Sequence, residues 1–306
     1  METASPQTTI ATLAPCLQAG RGTFPPRVSP GMCTSMQSTD SDAALLAKAH
    51  AGDARAVEAL LEKHQNQVYR YGLRMCGNEA DARDVLQETL IAAYRNLGSF
   101  RGDARLSTWL YQIARSFCLK QRRRREGEPA QHDSLDDAEA RGQASDSSAS
   151  DARAHARQVS EVIQAAIGTL PEEHREALVL RDVEGLSAEE AASVVGIEVG
   201  ALKSRLHRAR MALKERLAAV IDTNEQAIEC PELASELSAY AASEIDQAAC
   251  ERIEAHLAKC QRCSAACESL KRTVSMCRAI PGGEVPVPVK AAVRAALRRA
   301  GLDVHP

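Results

Sequence analysis

Leu186-Ser187-Ala188-Glu189-Glu190-Ala191-Ala192-Ser193-Val194-Val195-Gly196, followed after five residues by Leu202-Lys203-Ser204-Arg205-Leu206-His207-Arg208-Ala209-Arg210, is the stretch whose reading decides the fold. Ser187 is a good N-cap, and Glu190 three positions on completes a capping box for a short helix through Val194. Gly196 breaks that helix, and a second is predicted from about Glu198 to Leu217. On it Leu202, Leu206, Ala209 and Leu213 recur at helical spacing and face inward. Lys203, Arg205, His207, Arg208 and Arg210 are then left available outside. A short helix, a glycine break and a longer basic helix make a helix-turn-helix, whose second helix fits a DNA major groove.

The chain on either side also reads as helix. From residue 42 to 125, apolar positions repeat at i, i+3, i+4, i+7. Leu45, Leu46, Val57, Leu60 and Leu61 mark one segment; Ala82, Val85, Leu86, Thr89, Leu90, Ala93 and Leu97 mark a second. A third carries Trp109, Leu110, Ile113 and Phe117 and ends in Lys120-Gln121-Arg122-Arg123-Arg124-Arg125, five cations in six positions. Such a run can hold phosphates, and a nearby tryptophan can stack on unpaired bases. The fold class expected is all-α, in three parts: a helical domain over 40–125, a helix-turn-helix domain over 158–221 and a small helical domain over 229–280. A Pro- and Gly-rich hinge (281–288) leads from the last to a short basic helix at about 289–300, within a terminal segment 281–306.

Two segments read differently. Residues 1–39 are rich in Thr, Ser, Pro and Gly and read as a disordered extension, with Met32 and Met36 as start codons alternative to Met1. Residues 126–157 are acidic and nearly leucine-free, which makes a flexible linker. The net charge of −3 places any nucleic-acid affinity in local basic clusters rather than in the whole molecule. No stretch approaches the roughly 20 apolar residues that span a bilayer, and no secretory leader is evident, so no membrane association and a cytoplasmic location are expected. Ten cysteines in such a compartment are not expected to form structural disulfides, and six of them fall between Cys230 and Cys277.

Asp84-Val85-Leu86-Gln87-Glu88-Thr89, Phe100-Arg101-Gly102 and Trp109-Leu110-Tyr111-Gln112-Ile113-Ala114-Arg115 together resemble region 2 of the extracytoplasmic-function (ECF) sigma-70 family of RNA polymerase sigma factors. Leu170-Pro171-Glu172-Glu173-His174-Arg175-Glu176-Ala177, with the helix-turn-helix above, is similar to region 4, and the two signatures stand in the family's order over about 180 residues. The resemblance implies a transcription initiation factor that directs core polymerase to promoters. Asp84, Gln87 and Glu88 would dock on the β′ clamp helices, and the β flap would be a second contact. Phe100, Arg101, Trp109, Arg115, Ser116, Lys120 and Arg122 would meet the −10 element; Lys203, Ser204, Arg205, His207 and Arg208 would read the −35 element. Ser116 stands where the family usually has asparagine. The acidic linker would thread the polymerase channels.

The cysteines carry a second chemistry. Cys230, then His256-x3-Cys260-x2-Cys263, is a four-ligand set of thiolates and imidazole that suits Zn²⁺, or softer competitors such as Cd²⁺ and Cu⁺. His256 and Cys260 are expected on one helix at i, i+4, Cys263 after a tight turn, and Cys230 from the preceding helix. Cys267 continues the stripe and Cys277 is a candidate addition from the next helix. The segment is similar to the zinc-binding anti-sigma fold, here in cis. With its surplus cysteines the chain resembles the CorE-type metal-dependent sigma factors, which implies that metal in the tail controls promoter binding, in a direction the sequence leaves open. Two other readings compete: control by thiol oxidation that expels the metal, and a helix-turn-helix repressor with a structural zinc module. The chain has no nucleophile–base set or phosphate loop, and its four-ligand metal set leaves no open position, so an enzyme is not expected.

Overall fold

The computed structural model describes residues 36–127, 147–221, 228–280 and 283–302. The extension expected over 1–39 therefore lies outside the described residues up to position 35, Cys16, Cys33 and Met32 included, as does the expected linker from 128 to 146. Twelve α-helices and no strand occur among the described residues. The first four are α1 (Met36–His50), α2 (Ala54–Cys76), α3 (Glu79–Asn96) and α4 (Leu106–Gly127). Next come α5 (Ser147–Gly168), α6 (Glu172–Leu178), α7 (Ala188–Val195) and α8 (Val199–Ile221). The last four are α9 (Ala234–Ala241), α10 (Gln247–Leu257), α11 (Gln261–Arg278) and α12 (Val287–Arg299). Helix α5 starts at Ser147, inside the segment read as a linker.

Local chemistry sets the helix ends. Asp53 caps α2 by accepting from the Arg55 and Ala56 amides, and Asn78 caps α3 by accepting from Asp81 N–H. Gly72 lets α2 and α3 cross closely, because a Cβ there would sit 3.3 Å from the Ala82 Cα. The capping box is present: Glu190 N–H donates to Ser187 Oγ at 3.1 Å, and Ser187 N–H donates to the Glu190 carboxylate at 2.8 Å. Gly196 ends α7 with φ +75°, a left-handed conformation that favours glycine. Replacing Ser187 with alanine is expected to cost about 1 kcal/mol, read as a lower denaturation midpoint with an unchanged slope.

Packing joins what the sequence divides. One core runs through α2 to α8 and takes in Cys277, Val285, Val289, Val293, Leu297 and Leu302 from the C-terminal segment. Helix α12 lies on α3, where the Tyr94 hydroxyl donates to Gly301 C=O at 2.7 Å, and Arg294 pairs with Glu62 of α2. Helix α11 lies against α8 and against the π-helical turn Val179–Val183. A separate small core, Leu237, Ile253, Cys263 and Cys267, holds α9, α10 and the start of α11 together as a C-terminal lobe.

Candidate nucleic-acid interface and metal centre

The basic faces of α2 and α4 meet acidic side chains of α6, the π-turn and α7. Glu184 follows the π-turn, whose wide i→i+5 geometry is closed by Glu184 N–H donating to Val179 C=O. Its carboxylate is almost fully buried and accepts from Arg70 (3.0 Å), Arg74 (2.7 Å) and the Tyr111 hydroxyl (2.9 Å). Glu176 is buried and accepts from the Tyr71 hydroxyl (3.0 Å) and Arg115 Nε (2.8 Å). Around them Arg122 pairs with Glu172, Arg105 with Glu190 at 3.2 Å, and the Gln112 amide donates to Ser193 C=O. Buried carboxylates are tolerated where cations and hydroxyls satisfy them this way.

The residues singled out from sequence divide among several surroundings. Asp84 and Glu88 are exposed on α3, with Gln87 half-buried beside them. Phe100 is buried and Trp109 half-buried, their rings tilted with centroids 5.0 Å apart. Arg101, Ser116 and Lys120 are exposed, and the Ser116 hydroxyl turns back to Ile113 C=O. Arg115 and Arg122, by contrast, are engaged by α6 carboxylates. On α8, Lys203, Ser204 and Arg208 are exposed, Arg205 is half-buried and pairs with Glu173 at 3.2 Å, and His207 is half-buried with its Nδ1 enclosed.

Arg210 corrects the sequence reading. Expected outside, its side chain is only 2% exposed. It donates from Nε and Nη2 to both oxygens of Asp182, a carboxylate with 0% side-chain exposure, at 2.8 and 2.6 Å. It also donates to Glu244 (2.7 Å) and to Ser238 C=O (3.3 Å), both in the C-terminal lobe. Arg181 adds a second cation on Glu244 at 3.1 Å, and Arg278 donates to Ala242 C=O. Desolvation draws the Arg210 guanidinium down, and the two carboxylates more than reverse it. None of Asp182, Glu184 or Glu244 was singled out from sequence.

The metal-ligand set converges. One donor atom from each of Cys230, His256, Cys260 and Cys263 lies within 4.8 Å of the others. Their placement differs in detail from expectation. His256 lies in the last turn of α10 and Cys260 caps α11, with Cys260 N–H donating to His256 C=O at 2.9 Å, so the i, i+4 pair spans a turn between helices. Cys263 is in the first turn of α11, and Cys230 precedes a 3-10 turn rather than sitting on a helix. Cys267 is buried one turn beyond Cys263 in the lobe core and is not among the four; Cys277 is buried in the main core, facing Arg210, Asp182 and Arg74 instead.

The four donors fit a tetrahedral zinc. His256 Nε2 is buried with no hydrogen-bond partner among the described residues, an orphan that a metal would satisfy. Desolvation pushes the Cys263 thiol up, but the His256 side chain and the backbone at Cys230 outweigh it and hold the group at about 7. Burial and the neighbouring Cys263 push Cys230 up to about 11. Zinc held there by Cys230, His256, Cys260 and Cys263 would supply structural cross-linking with no open coordination position.

Residues 60–128 match the family described as Sigma-70 region 2, residues 160–213 match Sigma-70, region 4, and residues 230–264 match a zinc-finger family. The RNA polymerase sigma-H factor of Pseudomonas aeruginosa is 37% identical over 186 residues, covering 60% of this chain and 96% of its own. The ECF RNA polymerase sigma-E factor of Escherichia coli K12 is 32% identical over 185 residues, 59% of this chain and 96% of its own. Among solved structures, CnrH in complex with the cytosolic domain of CnrY is 27% identical with a TM-score of 0.42, covering 60% of this chain and 99% of that one.

Proposed function

This chain belongs to the ECF RNA polymerase sigma factors, transcription initiation factors rather than enzymes, and from that membership we propose that it is a promoter-specificity subunit whose own C-terminal lobe holds it closed. Its partners are core polymerase, through Asp84, Gln87 and Glu88, and promoter DNA, through the α4 and α8 surfaces, which places it in the cytoplasm; no helix among the described residues is long and apolar enough to cross a membrane. In the closed form, Glu172 and Glu176 occupy Arg122 and Arg115 of α4, Glu184 occupies Arg70 and Arg74 of α2, and Glu190 occupies Arg105 just before α4, cations that DNA phosphates would otherwise engage. Asp84 and Glu88 stay exposed and Gln87 is half-buried beside them, so closure acts on promoter engagement more than on core docking.

The observation that carries this reading is Arg210. It sits on the helix of the −35 contacts, yet its guanidinium is closed by Glu244 of the zinc lobe. Tethering sets a high effective concentration, so a few such contacts suffice to hold the closed form. Zinc at the four-ligand site shapes the lobe and therefore the loop that presents Glu244. The site thus favours the closed state, by as much as metal affinity differs between the two states. Exchanging Glu244→Gln keeps the Arg210–Asp182 pair and weakens only the link to the lobe. Run-off transcription with core polymerase on a promoter library is expected to rise at least severalfold for this variant. Activity equal to that of the unsubstituted chain would remove the lobe from the control of initiation.

A further inference from the structure

Two cysteines outside the zinc lobe lie together in the N-terminal helical part. Cys76 is the last residue of α2, and Cys118 lies in the middle of α4. Their sulfurs are 3.6 Å apart and share a hydrogen bond. Both are free thiols; Cys76 is half-buried and Cys118 buried. A disulfide needs the sulfurs at about 2.05 Å, so bond formation asks for an approach of roughly 1.5 Å between two helix segments already in contact.

The geometry points to Cys76 and Cys118 as a peroxide-oxidisable dithiol, with Cys76 as the attacking sulfur and Cys118 as the resolving one. The Cys76 thiolate attacks one oxygen of a peroxide, the O–O bond breaks, and the leaving oxygen departs as hydroxide, taking up the thiol's proton to give water. Cys76 is then a sulfenic acid. The Cys118 sulfur attacks it, the S–O bond breaks, and the hydroxyl leaves with the Cys118 proton as a second water. Two thiols lose two electrons and two protons, and hydrogen peroxide becomes two waters.

Asymmetry between the two sulfurs fits these roles. The hydrogen bond with Cys118, helped by the Arg125 and Arg175 cations, draws the Cys76 thiol below its ordinary value despite burial and Asp81. The same bond and burial push Cys118 up. The pair also sits under the junction between the two sigma regions. Arg175 of α6 donates to Met75 C=O beside Cys76, and Cys118 lies between Arg115 and Arg122, which hold Glu176 and Glu172. Pulling the two sulfurs together therefore shifts the seat of α6.

The test uses the zinc-loaded full chain, exposed to equimolar hydrogen peroxide, digested with trypsin without reductant and read by mass spectrometry. The expected product is a linked pair of peptides, residues 75–83 with 116–120, that separates on reduction with dithiothreitol. In a Cys118→Ser chain, dimedone is expected to label Cys76, and in a Cys76→Ser chain Cys118 is expected to stay unlabelled. Without oxidant, iodoacetamide is expected to alkylate Cys76 at least tenfold faster than Cys118. Oxidation confined to the zinc-lobe cysteines, with residues 75–83 and 116–120 recovered as free thiol peptides, would overturn the assignment. So would equal alkylation of Cys76 and Cys118.

Discussion

The full chain carrying Arg210→Met is expected to unfold about 10 °C below the unsubstituted chain, the consequence of losing about 3–5 kcal/mol from a buried charge cluster. The guanidinium donates to both oxygens of Asp182, a carboxylate with no exposed side-chain surface. Removing Arg210 strips a buried anion of both bonds, which is far more costly than never having had the pair. Glu244 suffers less, because Arg181 still reaches it at 3.1 Å. An asymmetric rescue follows. Adding Asp182→Leu to Arg210→Met removes the stranded charge and is expected to recover most of the lost stability, since apolar replacement of a buried pair is often close to neutral. Thermal unfolding of the unsubstituted, single and double variants decides it. A single substitution costing under about 1 kcal/mol, or a double variant no better than the single, would show that Asp182 does not depend on Arg210.

The second large effect is at the four-ligand Cys/His site. Cys263→Ser is expected to abolish stoichiometric zinc in the purified chain and to open the C-terminal lobe to proteolysis across residues 228–267. Structural zinc supplies on the order of 10–16 kcal/mol of apparent binding free energy to small domains. The lobe core of Leu237, Ile253, Cys263 and Cys267 is too small to stand without a cross-link. Cys277→Ala, in the main core, is expected to keep its zinc while losing some stability through the cavity it leaves. Metal analysis of both proteins separates the two cysteines. Zinc retained in full by Cys263→Ser, or lost from Cys277→Ala, would mean that the ligand set is different.

What was legible in the sequence was local. Caps such as Ser187–Glu190, the stop at Gly196 and the stripes of α3 and α4 depend on residues within one or two turns. The Cys/His quartet was legible because ligand chemistry limits which spacings work, although i, i+4 fitted a helix and the observed interhelix turn equally well. Arg210 shows where the reading gave way. It stands four residues after Leu206 and three before Leu213, on the inner stripe of α8, but its charge argued for the surface. Only the fold reveals its partners, 28 and 34 residues away in sequence. Glu184 and Glu244 carried no local signal, because an acid in a short loop looks solvated until the opposing arginines are in place. The three-part division likewise hid the continuity of the main core, which long-range packing of α7 on α4, of α5 and α6 on α2, and of α12 on α3 creates.

The C-terminal lobe, with zinc on its four ligands, is proposed to hold the sigma regions closed in cis. The most direct test is run-off transcription with core polymerase and a promoter library, comparing the zinc-loaded full chain with the same preparation stripped of zinc and freed of chelator. Low output is expected when zinc is bound, with at least a tenfold rise once it is removed. Equal output in both states, or output that falls when zinc is stripped, would contradict closure by the lobe.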